Sequence, residues 1–418
     1  MAEHFAAQRD HYPEVLAPVG DFERLTYAVN YGADAVYLGG TAFGMRASSA
    51  NFDFDTMKKA VEYAHARDVK VYLTCNTLPL NSEVEQLSDY LKSARDAGVD
   101  AVIVADIGVL MEAKRVIPEV DIHISTQTGI VNYLTANELY KMGAKRVVLA
   151  RELPLEDIRR IRDKTPPELE IEAFVHGAMC VSHSGRCLLS NFMTGRDANR
   201  GNCAQACRWK YNLVEEKRPG QYMPVEETDT GTFIFNSKDL CMIDHVPDLI
   251  SAGITSFKIE GRVKTEYYVA CVVAAYRRAI DACFSDLGEY ERILPELREE
   301  VCKVSHRPYF TGFYYGDQKS ESMNFNESGY IRDYEVSGIV TGYDYVRGCV
   351  VLSQRNKFVI GDECEFLIPG KSSQKIVVEK MFDGEGEPIL AAPHPEMTVL
   401  IPYPNPVPSM SFMRRKRI

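Results

Sequence analysis

Eight short apolar runs alternate with amphipathic stretches over the first 262 residues, and this alternation constrains the fold more than any other feature. Each run ends in a polar residue or a glycine; the runs cover 15–18, 35–40, 71–76, 101–106, 122–127, 146–152, 171–176 and 256–262. The stretches between most of them have helical periodicity, and several end at a glycine, as helix C-caps do. Apolar strands that alternate with helices indicate a parallel sheet covered by helices. Eight repeats therefore predict an α/β fold, a (β/α)8 TIM-like barrel.

The polar residues at the ends of these runs are candidates for a functional site. In a barrel of this type the carboxyl ends of the strands meet at one face, where enzymes keep their active sites. Six residues occupy equivalent positions and are predicted to ring a common mouth: Asn76, Asp106, Gln127, Glu152, His176 and Glu260. A polar residue at such a position can also serve only to cap the next helix. An open doubly wound sheet is the alternative fold, but the first run is not followed by a Gly-rich dinucleotide turn.

A cysteine-rich segment separates the seventh run from the eighth, and we predict it to be an insertion at the barrel mouth, residues 177–236. Four cysteines lie in it and a fifth follows it: Cys180, Cys187, Cys203, Cys207 and Cys241. The wide spacing on loops favours an iron–sulfur cluster, although Cys203 and Cys207 approach the paired spacing of a zinc site. A reactive thiol beside His176 or His183, or a purely structural role, also fits the pattern.

After the eighth run the sequence pattern is first helical and then typical of β-strands. A helical stretch follows the eighth run from 265 to 304, with a break near Asp286, and a helix is expected to begin near residue 236 and to carry Cys241. Beyond about residue 325, short β-branched runs alternate with Gly and Asn/Asp turns, which indicates an all-β domain. The predicted organisation is a barrel domain over 1–315, a linker over 316–330 and a small C-terminal β-barrel domain over 331–418.

Charge and hydropathy limit the possible partners. A formal charge of −11 argues against a protein whose whole surface coats nucleic acid, so any phosphate-binding face must be local. Basic residues cluster in two places: Arg196, Arg200, Arg208 and Lys210 near the cysteines, and Arg414, Arg415, Lys416 and Arg417 at the C-terminus. No apolar run approaches the ~20 residues of a membrane span, and eleven cysteines without an export signal are typical of the cytoplasm.

Several segments carry a resemblance to a known family. The stretch EAFVHGAMCVSHSGRCLLSNFMTGRDANRGNCAQACR, at 172–208, is similar to the signature of the collagenase-like peptidase family U32. Further matches are LAPVGDFERLTYAVNYGADAVYLGG, FNSKDLC, FKIEGRVKTEYYVA and SHRPYFTGFYYG. The length and the β-domain tail most resemble the branch of this family that takes part in 5-hydroxylation of the wobble uridine of tRNA.

The resemblance implies a barrel that holds an oxygen-labile [4Fe–4S] cluster. The implied ligands are Cys180, Cys187, Cys203 and Cys241, with Cys207 as an alternative ligand. It also implies tRNA as substrate and a dependence on prephenate, a dicarboxylate. The runner-up function is metal-dependent, collagenase-like proteolysis, which the family name records.

These considerations give a set of candidate site residues. Glu172, His176 and His183 are the candidate catalytic residues. The candidate substrate-binding residues are Asn76, Gln127, Glu152, Arg186, Arg196, Lys258, Glu260 and Arg262. The arginines and the lysine in this set are suited to a carboxylate ligand. The C-terminal domain, together with its basic tail, is expected to present the tRNA to the barrel mouth.

Overall fold

The structure is a computed structural model. It describes residues 12–45, 51–179, 187–198, 201–209, 212–213, 223–224, 238–316 and 330–417. Three predicted site residues, Cys180, His183 and Arg186, lie outside the described residues.

Eight parallel strands form a closed barrel, as the alternating runs predict. They are β1 (Glu14–Pro18), β2 (Ala35–Gly39), β3 (Lys70–Cys75), β4 (Ala101–Val104), β5 (Asp121–Ile124), β6 (Arg146–Val148), β7 (Glu170–Ala178) and β8 (Ser256–Ile259). Each strand pairs with the next along the chain, and β8 pairs with both β7 and β1 to close the ring. The strands are buried on both faces, which explains their nearly continuous apolar sequence.

Helices cover the outside of the barrel. They are Phe22–Asn30, Phe54–His65, Leu87–Ala97, Ile107–Val116, Tyr133–Met142, Leu155–Asp163, Val246–Ser251 and Glu266–Ser285, and Leu287–Cys302 packs against the last of them. The predicted break at Asp286 is confirmed. Gly98 and Gly143 adopt the left-handed conformation at helix C-caps, which favours glycine. Among the described residues, no helix is both long and apolar enough to cross a membrane.

One prediction in the cysteine-rich region is wrong. Cys241 does not begin a helix; it ends the short strand Asp239–Cys241, which runs antiparallel to the carboxyl end of β7. This strand places Cys241 opposite His176 and extends the sheet beyond the barrel, where Tyr309–Phe310 adds a further parallel pair. The buried ion pair between Asp239 and Arg307 joins the two additions. The antiparallel pairing with β7 therefore overrides the local helical tendency of the sequence.

The C-terminal domain is an antiparallel β domain. Its main strands are β9 (Tyr334–Asp344), β10 (Cys349–Gln354), β11 (Glu363–Leu367), β12 (Gln374–Val377), β13 (Phe382–Asp383), β14 (Thr398–Pro402) and β15 (Phe412–Lys416). They are ordered β12-β11-β15-β9-β10-β14-β13 in one sheet. The sheet has its own apolar core, but Phe412 belongs to the barrel's core and stacks on Tyr27, with ring centroids 4.8 Å apart.

A buried ion cluster fixes this domain to the barrel. Arg414 on β15 is fully buried and donates to both carboxylate oxygens of Glu300, at 2.5 and 2.6 Å. The same guanidinium donates to Glu365 at 2.8 Å, and Lys303 pairs with Glu365 at 2.8 Å. Two cations thus face two carboxylates across the domain boundary, out of contact with water.

The expectation that the basic tail presents tRNA is therefore wrong for its central residues. Arg414 is buried and paired in the interdomain cluster, and Arg415 pairs with Glu335 and Asp362. The tail is a strand of the sheet rather than a free basic arm. Arg414 and Arg415 on this strand are paired with acidic side chains. Arg417, which is half exposed, lies at the end of this strand.

We expect Arg414→Met to lower the free energy of unfolding by about 3–5 kcal/mol, because it leaves Glu300 and Glu365 buried without this cation. Burial raises the pKa of Glu300, but Arg414 overcomes this effect and holds that pKa below its usual 4.5. The stabilisation is therefore complete above pH 4.5 and declines as the pH falls through the folded-state pKa. Urea titrations at neutral and acidic pH test both statements.

Arg417→Met is the matched control for Arg414→Met, and we expect it to change stability by less than about 0.5 kcal/mol. Equal midpoints for the two variants at neutral pH would show that the interdomain cluster does not stabilise the protein.

Candidate functional site

The barrel interior holds a buried ion network below the mouth. Arg146 on β6 donates to Glu14 at 2.7 Å and to Glu172 at 3.2 Å. Lys258 on β8 donates to the other oxygen of Glu172 at 2.5 Å. Glu172 itself is fully buried. One carboxylate on β7 is thus shared by cations from both neighbouring strands, which compensates its charge in a dry interior.

The protonation of this network follows from its contacts. Burial opposes the charge on Arg146, but Glu14 and Glu172 contribute to raising its pKa well above the usual value. Burial would raise the pKa of Glu14, and Arg146 reverses this and lowers it. Burial and the nearby positive charge of Arg146 keep the pKa of His123 well below its usual value. His123 is therefore neutral and packs edge-on against Tyr72, with ring centroids 4.7 Å apart.

A cavity of about 70 Å³ opens directly above this network, at the carboxyl ends of the strands. The side chains around it come from β2, β3, β4, β7, β8 and the loops that follow the strands. Its polar and charged lining includes Thr74, Asn76, Ser125, Gln127, Arg151, Lys258, Glu260 and Arg262. Three cations and one carboxylate therefore face the same small volume, and the cavity is suited to an anion.

Neighbouring groups hold each cation of the cavity in place. Arg262 is buried and donates to the Thr74 hydroxyl at 3.2 Å and to Asn51 at 2.8 Å. Its guanidinium lies against Gly39, where a Cβ would overlap it, so the glycine gives the arginine access to the mouth. Arg151 donates to the Ala178 carbonyl at 2.7 Å and lies over an aromatic ring of β7.

The polar groups on the opposite side of the cavity are also oriented. Asn76 donates its amide to the Ser125 hydroxyl at 3.2 Å. Ser125 in turn accepts from the backbone N–H of Gln127 and so caps the short 3-10 helix Thr126–Thr128. Within the described residues, Asn76 Oδ1 and Arg151 Nε are buried without a hydrogen-bond partner. Both residues line the cavity, so an acceptor and a donor lie unsatisfied in its wall.

The cavity collects a large part of the predicted substrate-binding set. Asn76, Gln127, Lys258, Glu260 and Arg262 all line it. Their role in binding remains a prediction. Lys258 also serves the ion network, and its ammonium lies 4.5 Å from the centre of the Tyr37 ring. Glu260 accepts from Tyr37 at 3.4 Å.

Sequence reasoning missed Arg151, Thr74 and Ser125. Arg151 immediately precedes Glu152, the residue chosen from the same run. Which of two adjacent residues faces the mouth depends on where the strand stops, and β6 is only three residues long. The available signal for Ser125 was its position directly after β5. For Thr74 it was a polar residue near the carboxyl end of β3.

Asp106, Glu152 and His176, which were predicted to ring the mouth, do not line the cavity. Asp106 caps the helix Ile107–Val116 by accepting from the Val109 N–H. Glu152 is likewise absent from the lining. Arg196, also predicted to bind substrate, is exposed on the cysteine-rich segment and does not line the cavity either. For Asp106, the helix-capping alternative is the correct one.

The third of these mouth residues, His176, is buried among tyrosines. Its ring nitrogens lie 3.5 Å from the Tyr276 hydroxyl and 3.3 Å from the Tyr309 hydroxyl. Burial lowers the pKa of His176 to about 3, so the ring is neutral near pH 7. Glu172, the other described candidate catalytic residue, is part of the ion network and does not line the cavity. Neither side chain is placed to contact a ligand there.

The predicted cluster ligands are described only in part. Cys203 is exposed, and Cys187, Cys207 and Cys241 are partly exposed. Burial raises the pKa of Cys241 to about 12. Among the described residues, no group of three or more His, Cys, Asp or Glu side chains is disposed to hold a metal ion, and Cys180 lies outside them. The ligand set that the resemblance implies therefore stays a prediction.

We expect Glu172→Gln to lower the free energy of unfolding by about 3–5 kcal/mol, because Lys258 and Arg146 would share a neutral amide in a buried site. Glu170→Gln is the matched control: Glu170 lies on the same strand and also contacts Arg146, but its side chain is 29% exposed. Its effect should stay below about 1 kcal/mol. Thermal or urea unfolding measures both, and equal losses would contradict the role given to Glu172.

Comparison with known proteins identifies the family of this chain. A sequence model of peptidase family U32 matches residues 20–324, and one of the family's C-terminal domain matches residues 332–414. The tRNA hydroxylation protein P1 of Bacillus subtilis is 40% identical over 403 residues, 96% of this chain and 94% of that protein. An uncharacterized protease of Methanocaldococcus jannaschii is 41% identical over 340 residues, 80% of this chain and 81% of that protein.

A third relative is named for a reaction on ribosomal RNA. The 23S rRNA 5-hydroxycytidine C2501 synthase of Escherichia coli is 38% identical over 282 residues, 68% of this chain and 41% of that protein. The first two similarities extend over most of both chains, and the family model covers the barrel. This chain belongs to peptidase family U32.

Proposed function

We propose that this chain is a cytoplasmic enzyme of tRNA hydroxylation, and that the reaction takes place at the barrel mouth. The finer proposal is that it replaces the C5 hydrogen of the wobble uridine by a hydroxyl group. The observation that carries the proposal is the cation-rich cavity at the mouth, in a chain that matches a tRNA hydroxylation protein over nearly its full length. The relatives named for hydroxylation of tRNA and of rRNA both support an activity on RNA bases.

The cavity residues suit an anionic co-substrate, and we propose prephenate for this role. Arg151 follows β6 and Arg262 follows β8, so the two guanidinium groups can hold carboxylate oxygens by charge-assisted hydrogen bonds. Asn76 and Gln127 add neutral polar groups to the same lining. Lys258 adds positive charge at the floor, where Glu172 fixes its position. The narrow volume and the buried floor exclude most water, which strengthens these contacts.

We further propose a [4Fe–4S] cluster in the cysteine-rich segment. The partly exposed Cys187 and the exposed Cys203 support the proposal, together with the family signature around them. A bound cluster would relay electrons or bind the oxygen donor. The proposed ligands are Cys180, Cys187, Cys203 and Cys241, with Cys207 as the alternative.

We expect Arg151→Gln and Arg262→Gln each to lower the 5-hydroxyuridine content of tRNA strongly. Losing one hydrogen bond to a charged group costs about 1.5–3 kcal/mol, which weakens anion binding roughly 10- to 150-fold. Mass spectrometry of tRNA nucleosides measures the change in cells that carry only the variant. Arg115→Gln is the matched control, because this arginine is exposed on an outer helix and pairs with Glu112, away from the cavity.

Unchanged 5-hydroxyuridine in both cavity variants, with the proteins folded, would contradict the placement of the reaction at this cavity. Unchanged 5-hydroxyuridine in cells that lack the protein and any paralogue would contradict the hydroxylation function itself.

Anaerobically purified protein should contain about four iron and four sulfide ions per chain and absorb near roughly 400 nm. Cys187→Ser should remove most of this iron, whereas Cys302→Ser, which changes an exposed cysteine outside the insertion, should retain it. Iron-free protein that still supports hydroxylation would contradict the cluster proposal.

Proteolysis is the second candidate function, and the name of the Methanocaldococcus jannaschii relative favours it. A protease would cleave denatured collagen in a manner that depends on the mouth residues and would leave tRNA nucleosides unaffected. The nucleoside measurement and a gelatin cleavage assay on the same protein therefore separate the two functions.

A further inference from the structure

We propose that an exposed apolar surface of the cysteine-rich segment binds unpaired RNA bases by stacking. We call this surface, formed by Leu188, Phe192 and Trp209, the aromatic patch. The inference rests on the proposed function, and it adds the part of the chain that would hold the RNA around the target base.

The aromatic patch is exposed to an unusual degree. Phe192 is 89% exposed and Leu188 is 72% exposed, and the two lie one helical turn apart on the same face of the helix Leu189–Thr194. Trp209 is 46% exposed and directly follows the short helix Ala206–Arg208. Large apolar side chains held in water at this density mark a binding surface.

The aromatic patch sits on an ordered framework. The helix Leu189–Thr194 packs against the short helix Ala206–Arg208. The buried Ser190 hydroxyl accepts from the Ala204 N–H at 2.8 Å and so ties the first helix to the loop before the second. Phe192 lies on the opposite face of this helix from Ser190. The Ser190 contact therefore fixes the helix that carries Phe192 without using the Phe192 ring.

The charge of this segment indicates the partner. Residues 187–210 contain four basic and one acidic residue, a net charge of +3 in a chain whose total is −11. Arg196 is exposed, with its guanidinium held against Asn202 at 2.9 Å. Exposed aromatic rings in a segment of net positive charge are features with which proteins bind single-stranded RNA, because the rings stack on bases and the cations contact phosphates. A protein partner of this acidic chain would not require the local positive charge.

The intrinsic fluorescence of Trp209 reports on the proposal directly, because it is the only tryptophan of the chain. The probe is an RNA hairpin with an unpaired pyrimidine-rich loop, titrated into the anaerobically purified full-length protein. We expect the hairpin to quench this fluorescence, and a fully paired duplex of the same length to do so much less. Binding of the hairpin at saturation without any change in fluorescence would overturn the proposal.

The matched variants separate stacking from general binding. Phe192→Ala should weaken hairpin binding at least about fivefold, as expected for the loss of one base–aromatic stack, and Phe192→Tyr should restore it. Tyr345→Ala is the control, because Tyr345 is 79% exposed on the C-terminal domain. Equal affinities for wild type, Phe192→Ala and Tyr345→Ala would overturn the proposal.

Failure of this proposal is distinguishable from failure of the proposed function. If the nucleosides of tRNA show hydroxylation that depends on the protein, but Phe192→Ala binds the hairpin as wild type does, the aromatic patch is not the RNA site and the function stands. If hairpin binding depends on Phe192 while Arg151→Gln leaves it unchanged and abolishes hydroxylation, both proposals are supported. Gelatin cleavage without hairpin binding would overturn both.

Discussion

The sharing of Glu172 between Lys258 and Arg146 is the interaction on which the site depends. It joins three adjacent strands inside the barrel and replaces the usual apolar layer by charge. An ion network in such an interior is stable only if every charge is compensated, so its members constrain one another. The consequence for the mouth is a floor of fixed positive charge, because Lys258 is held extended beneath the cavity. A ligand entering the cavity meets an electrostatic field that needs no rearrangement to form.

The C-terminal domain is attached by a similar arrangement. Arg414 lies between Glu300 and Glu365 in a dry contact, and the adjacent Phe412 belongs to the barrel's core. Arg414 therefore serves the contact between the domains, Arg415 pairs within the C-terminal domain, and Lys416 and Arg417 are exposed. Further cations lie in the sequence of the cysteine-rich segment and at the mouth of a chain that is acidic overall.

The sequence predicted the barrel well because its signal is periodic and repeated. Eight apolar runs with glycine-ended helices between them leave few alternatives, and the same logic found Asn76, Gln127 and Glu260 at the mouth. Local exceptions were missed because they depend on tertiary contacts. Cys241 lies on a strand because β7 extends far enough to pair with it, and Arg151 rather than Glu152 faces the mouth because β6 is short.

Chemistry-bearing residues were harder to interpret than the fold. His176 follows the pattern of a residue at a strand end, yet the tyrosines around it bury it, and Asp106 has the same position but caps a helix. Glu172 is an acid in a barrel strand, which sequence cannot assign to catalysis or to a buried ion pair without knowing its neighbours. The basic tail has the composition of a nucleic-acid arm, but its acidic partners are distant in sequence.

A crystal structure of anaerobically prepared protein soaked with prephenate tests the role of the mouth cavity most directly. The expected result is a carboxylate of the ligand within hydrogen-bond distance of Arg151 and Arg262, above an undisturbed Lys258–Glu172 pair. Prephenate bound at another surface, or a mouth cavity that stays empty at saturating ligand, would contradict the proposed function of these residues.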